Sequence, residues 1–135
     1  MNERNETFGK PERLCSLRII TGLFENGKTF YTPLFRVVWD FAPVTLPSPA
    51  QAAFSVSKKS FKLAVKRNLI KRRLREAYRK NKHLLYNYLN GESRQVVVVI
   101  IYRVSSIADY RAVEDAIRDM IDRLITQIEA KQKLC

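Results

Sequence analysis

Apolar and polar residues alternate along this chain with two different periods, and the switches between them mark out its elements. From Glu12 to Glu25, Leu14, Leu17, Ile20 and Phe24 recur at roughly helical spacing and predict a short helix. Asn26-Gly27 is a turn signal. Thr29 to Phe41, rich in Tyr, Phe, Val and Trp, predicts strands, with Phe35, Val37 and Trp39 on one face and Arg36 and Val38 on the other. The Pro43–Pro49 segment, PVTLPSP, can continue neither helix nor sheet and reads as a loop. Gln51 to Ser57 predicts a third strand. A long helix is expected from about Phe61 to Tyr88, broken by Asn90-Gly91-Glu92-Ser93. Gln95 to Arg103, QVVVVIIYR, is a continuous apolar strand, a pattern of burial on both faces. Ser106 or Asp109 then caps a last amphipathic helix to about Ala130, with Val113, Ile117, Ile121, Leu124 and Ile128 toward the core. The order is helix, three strands, helix, strand, helix. With 135 residues and 46% hydrophobic content, this describes a single α+β domain with a real core. Its expected limits are a flexible N-terminus at 1–8, the domain at 9–130 and a tail at 131–135.

Charge changes this picture in one place. Between Ser55 and Lys82 stand twelve Lys and Arg residues and one acid, Glu76, so nearly all of the chain's net +12 lies in this window. A localised basic surface is the electrostatic footprint of a polyanion binder. The charge is patterned on a helix. Leu63, Ile70, Leu74, Ala77 and Asn81 fall within about 60° of one another at helical spacing, a core stripe. Asn68, Arg72, Arg75 and Arg79 fall opposite, flanked by Lys71 on one side and by Arg73 and Lys80 on the other. Lys66 and Arg67 lie near the stripe's edges, where long side chains can reach outward. A merely solvated face would mix both signs.

The longest apolar run, Val96 to Tyr102, is far too short to span a bilayer, and the polar start lacks the order of a signal peptide. Cys15 and Cys135, two distant thiols, make neither a disulfide framework nor a zinc site. A reduced, cytoplasmic location is the default. Phosphodiester hydrolysis by protein groups usually needs a carboxylate metal cage or a histidine acid–base pair. The basic window has one carboxylate, and the single histidine, His83, sits just beyond its edge and reads as a surface residue. These residues fit a protein that clamps a polyanion without doing chemistry. A ribosomal or other structured-RNA-binding protein shares the basic charge, but usually carries basic tails. A DNA-reading helix favours Asn or Gln among the cations, and only Asn68 and Asn81 are available.

The detailed spacing resembles the protein component of bacterial ribonuclease P. The residues that carry the resemblance are Ser55-Val56-Ser57-Lys58-Lys59, then Ala64-Val65, Arg67-Asn68, Lys71-Arg72 and Arg75-Glu76-Ala77. Arg13-Leu14, Phe24, Gly27 and the final strand and helix also match. The sequence departs from the usual pattern at Ser60–Leu63, one residue longer than the common form, at Leu69, and at Ile20, where relatives carry an aromatic.

The resemblance implies a four-stranded mixed sheet with a left-handed βαβ crossover, like the second domain of ribosomal protein S5. It implies two partners, the catalytic RNA subunit and precursor tRNA, and no membrane or obligate protein partner. The RNA subunit would remove the 5′ leader using Mg2+. On this reading Lys58, Lys59, Lys66, Arg67, Asn68, Lys71, Arg72, Arg75 and Arg79 bind the RNA subunit. Asn68 can bond a phosphate, a hydroxyl or a hydrated magnesium ion, or be an ordinary surface amide. Ile20, Phe24, Arg36, Val38, Ser55 and Ser57 form a cleft for the single-stranded leader. Phe24 is open between a stacking platform and a core aromatic. Tyr31, Trp39 and Tyr102 read as core or edge residues.

Overall fold

The computed structural model describes residues 7–92 and 94–133, and the side chains to 131. Four strands form one sheet in the order β1-β2-β4-β3. They are β1 (Lys28–Tyr31), β2 (Phe35–Phe41), β3 (Ala50–Val56) and β4 (Val96–Tyr102). β1 and β4 both pair antiparallel with β2, while β3 runs parallel to β4. The parallel pair is joined by two consecutive helices, α2 (Ala64–Asn81) and α3 (His83–Asn90). α1 (Leu17–Asn26) precedes the sheet and α4 (Tyr110–Lys133) follows it.

The pleat divides the core in two. Phe35, Val37, Trp39, Val98 and Ile100 face α2, α3 and α4, packing with Ile70, Leu74, Leu85, Ile117, Ile121 and Leu124. Val38, Val97 and Val99 face the other way, toward Leu14, Leu23 and Leu46. β4 is central, with residues 96–100 buried on both faces, which is why its sequence is an unbroken apolar run. All five residues expected on the core side of α4 are buried. Its cap is Asp109, whose Oδ1 accepts from the Ala112 amide at 2.9 Å.

Four boundaries differ from the sequence expectation. The helix expected from Glu12 begins at Leu17. Lys10–Glu12 form a 3-10 turn, and the chain then runs extended past Ala52, where the Leu14 amide donates to the Ala52 carbonyl at 2.9 Å. Leu14 is buried against the sheet rather than on a helix stripe, and its spacing mimics the helical period. This strap pairs with the outer edge of β3, which would otherwise be open. Ahead of it the Phe8 ring packs edge-on against Phe54 and Tyr78. The basic helix is the second difference. It starts at Ala64 with an extended Leu63 in front of it, so Leu63 is 59% exposed and Phe61 takes the core place instead. The third is at Lys82, where the Leu85 amide reaches back to the Lys82 carbonyl and the helix is divided. α4 in turn runs to Lys133, past the expected end. Residues 1–6, Ser93 and Cys135 lie outside the described residues.

Candidate nucleic-acid interface

α2 presents its cations according to their phase. Ile70, Leu74, Ala77, Tyr78 and Asn81 are buried, so Lys66, Asn68, Arg72 and Arg75 stand exposed on the outer side with Lys71 half-buried beside them. Lys58 and Lys59 are exposed in the turn leading out of β3, where Ser57 Oγ accepts from the Lys59 amide at 3.0 Å. Arg67 does two things. One guanidinium nitrogen donates to the carbonyls of Phe61 at 2.7 Å and Lys62 at 3.0 Å, clamping the lead-in segment. That leaves its remaining N–H groups at the edge of the patch.

The C-terminal part of the basic run is committed elsewhere. Arg79 donates twice to Glu76, at 3.1 and 2.6 Å, and Lys80 lies 3.8 Å from the same carboxylate. The hydrogen bond from Arg79 holds the Glu76 carboxyl below the usual range. Arg73 donates to the Ala108 carbonyl at 2.6 Å, tying α2 to the loop before α4. Lys82, which counts toward the window's charge, is 1% exposed and is absent from the surface. Its Nζ pairs with the buried Glu12 and donates to the Thr7 carbonyl, and the Tyr86 hydroxyl donates to the same Glu12 oxygen at 2.8 Å. Burial pushes the Tyr86 and Tyr78 hydroxyls above their ordinary range.

The second surface lies on the opposite side of the sheet, where α1 covers only part of it. The helix is positioned by its cap and its exit: Ser16 Oγ accepts from the Ile19 amide at 3.3 Å, and the chain leaves through Gly27. A Cβ on Gly27 would stand 2.5 Å from the Leu23 carbonyl oxygen and 3.0 Å from a Val38 methyl, so only glycine lets α1 turn this tightly onto β1. Beyond the helix the register aligns Tyr31, Arg36, Ile101 and Ser55 in one row across all four strands. Phe24 reaches over this row, 48% exposed, with its ring centroid 5.7 Å from Arg36 Cζ. Arg36 Nε is buried with no hydrogen-bond partner in the protein. Ser55 and Ser57 are exposed at the β3 end, and Ile20 is half-buried on α1.

Phe24, Arg36, Ser55, Ser57 and Ile20 thus lie on one side of the sheet, with Phe24 and the two serines exposed. Val38 is not accessible there: it is 1% exposed beneath α1, packed among Leu14, Leu23 and Val99, and does not join the expected cleft. Trp39 and Tyr102 are core residues, while Tyr31 is an exposed edge residue on β1. Arg103, which no local pattern in the sequence singles out, has its Cζ 5.1 Å from the Tyr31 ring centroid. Among the described residues no three His, Cys, Asp or Glu side chains come together to hold a metal ion. No helix there is long and apolar enough to cross a membrane.

A model of the ribonuclease P family matches residues 8–125, most of the chain. The chain belongs to the ribonuclease P protein family. A ribonuclease P protein component of Porphyromonas gingivalis is 40% identical over 122 residues, covering 87% of this chain and 88% of the relative. One from Chlorobium phaeobacteroides is 31% identical over 133 residues, covering 91% and 88%. Among solved structures, the ribonuclease P protein of Thermotoga maritima superposes with a TM-score of 0.65 at 23% identity, covering 83% of this chain and 96% of that one. That of Staphylococcus aureus gives 0.66 at 18% identity, covering 84% and 94%. These two share the fold. Ribonuclease P proteins serve an endoribonuclease whose catalysis is carried by its RNA subunit, in maturation of the tRNA 5′ end. The ribosomal and DNA-binding readings left open by charge alone fall with this assignment.

Proposed function

We propose that the outer face of α2 seats the catalytic RNA while the groove beside α1 holds the single-stranded leader of precursor tRNA. The observation that carries this reading is the separation of two chemistries. Lys58, Lys59, Lys66, Asn68, Lys71, Arg72 and Arg75 project from α2 and the turn before it. Phe24 and Arg36 sit on the other side of the sheet as a ring with a guanidinium over it. Arg takes phosphate oxygens in a planar fork, which suits a structured RNA backbone. A ring beside a cation suits unpaired bases, which stack with little sequence preference.

On this reading Arg67 orders the α2 lead-in and contacts RNA with its remaining donors. Arg79 contributes less, since Glu76 already occupies it. Magnesium would belong to the RNA. Among the described residues no three His, Cys, Asp or Glu side chains come together, and Asn68, an exposed amide among cations, would meet a phosphate, a hydroxyl or a hydrated ion held by the RNA. The place of action is the cytoplasm, where precursor tRNA is made. The test is reconstitution with a bacterial ribonuclease P RNA. The chain should lower the magnesium concentration that RNA needs and favour precursor over mature tRNA. A chain that changes neither would remove the reading. A preparation freed of all RNA should leave precursor tRNA intact, and cleavage that survives RNA removal would place chemistry in the protein.

A further inference from the structure

We infer that the leader track does not end at Arg36 but continues across β1 onto a second platform made by Tyr31 and Arg103. This rests on the leader-groove reading and extends it to a site with its own readout. Tyr31 is the register partner of Arg36 on the neighbouring strand. Directly opposed residues of an antiparallel pair share a face and lie side by side. The next residue inward, Phe30, is buried on the helical side, which places the Tyr31 ring on the groove side. It is 55% exposed, a large aromatic area left in water at a sheet edge.

Arg103 extends β4 by one step, its amide donating to the Leu34 carbonyl at 2.9 Å. Its side chain is anchored by a hydrogen bond to the Thr32 carbonyl at 2.8 Å, with Cζ 5.1 Å from the Tyr31 ring. Arg123 of α4, itself paired with Asp119 at 3.2 Å, donates to the Tyr31 carbonyl at 3.3 Å and braces the strand from behind. The Phe24–Arg36 arrangement is therefore repeated one strand along, ring and guanidinium together. Two such pairs in sequence form a basic track with two stacking steps, which is what a single strand needs and one isolated ring does not provide.

The site predicts a dependence on leader length. Holoenzyme reconstituted with a bacterial ribonuclease P RNA is titrated with precursors whose leaders grow one nucleotide at a time. Tyr31→Ala should follow wild type for the shortest leaders, then fall behind by about 5- to 150-fold once the leader reaches the second platform, the equivalent of roughly 1–3 kcal/mol per stacked base. Tyr31→Phe should restore the affinity, because the stacking ring remains. Arg103→Gln should make the long-leader salt slope shallower by about 0.7, one single-strand phosphate. Phe24→Ala is run beside them. If Tyr31→Ala matches wild type at every length while Phe24→Ala loses leader preference, the track ends at Arg36 and this inference fails alone. If both match wild type, the groove reading fails with it. If Tyr31→Ala weakens mature tRNA equally, the platform serves another part of the complex and the inference is overturned.

Discussion

The outer face of α2 and the α1 side of the sheet both carry arginines, but they hold them differently. On α2, Arg72 and Arg75 extend exposed from the helix, within a run that has one acid. On the sheet, Arg36 and Arg103 each lie over a ring. The first arrangement concentrates field and is open to counterions. The second makes flat, partly desolvated platforms, which on the proposed reading would attract a base with less dependence on salt. Position along the basic run matters as well as position in space. Its N-terminal part faces solvent, whereas Arg79 and Lys80 answer Glu76 and Lys82 answers the distant Glu12. Counting cations therefore overstates the charge on the outer face.

Lys82 gives the largest expected effect and the sharpest break of that count. Removing one partner of a buried ion pair strands the other charge and costs about 3–5 kcal/mol. Lys82→Met should lower stability by that order in a denaturant melt, while the folded protein keeps its affinity for the RNA subunit. Combining it with Glu12→Gln should recover much of the loss, since no charge is then left buried alone. A Lys82→Met protein as stable as wild type but weak in RNA binding would return Lys82 to the patch. The same cluster predicts alkaline sensitivity. The Tyr78 and Tyr86 hydroxyls are raised in the folded state. Between their unfolded and folded values the folded chain holds more protons, so their contribution is intact below about pH 10 and declines above it.

Salt comes next. For about five phosphate contacts through α2, affinity for the RNA subunit should fall with a log–log slope of roughly −3.5 to −4.5. Arg72→Ala and Arg75→Ala should each cost about 1.5–3 kcal/mol of binding, make the slope shallower and leave the melting curve in place. Binding equal to wild type in both would show that the face of α2 has been misassigned.

The large features were legible because they repeat. The five buried positions of α4, the apolar run of β4 and the alternation of Phe35, Val37 and Trp39 each state their burial in a local period. The basic face of α2 followed from the same geometry. What stayed hidden was set by distant partners. Lys82 looks like its neighbours until Glu12, 70 residues away, is brought to it. Tyr31 and Arg103 meet only because β1, β2 and β4 are adjacent. Leu14 was misleading for the opposite reason: an extended strap placed it by chance in phase with the helix that follows. Val38 was read on the correct face of β2, but the sequence did not show that α1 would cover it.

Phe24→Ala tests the other surface. Loss of one stacking ring should cost about 1–3 kcal/mol for precursor with a leader and little for mature tRNA. The salt slope should stay nearly unchanged because no charge is lost. Phe24 is about half exposed, so the fold should survive, and a circular-dichroism melt checks this. A folded variant that still favours precursor as strongly as wild type would move the leader off this groove.

The smallest effect should come from Glu76. It is the only acid on α2, and it holds Arg79 at 2.6 Å and Lys80 at 3.8 Å. Exposed pairs of this kind contribute only about 0.2–1 kcal/mol to folding, so Glu76→Gln should barely shift the melting curve. Its effect on RNA should have the opposite sign. Neutralising the acid removes a repulsion from phosphate and loosens the hold on Arg79 and Lys80. Affinity for the RNA subunit should rise a few-fold at low salt, with a steeper slope if either cation gains a phosphate. Lowering pH should mimic the substitution only well into the acid range, because Arg79 keeps the Glu76 carboxyl ionised below the usual carboxylate range. If Glu76→Gln instead weakened RNA binding without unfolding the helix, the carboxylate would be orienting Arg79 for contact. The C-terminal turn of α2 would then contribute to the RNA-facing region as fully as its N-terminal part.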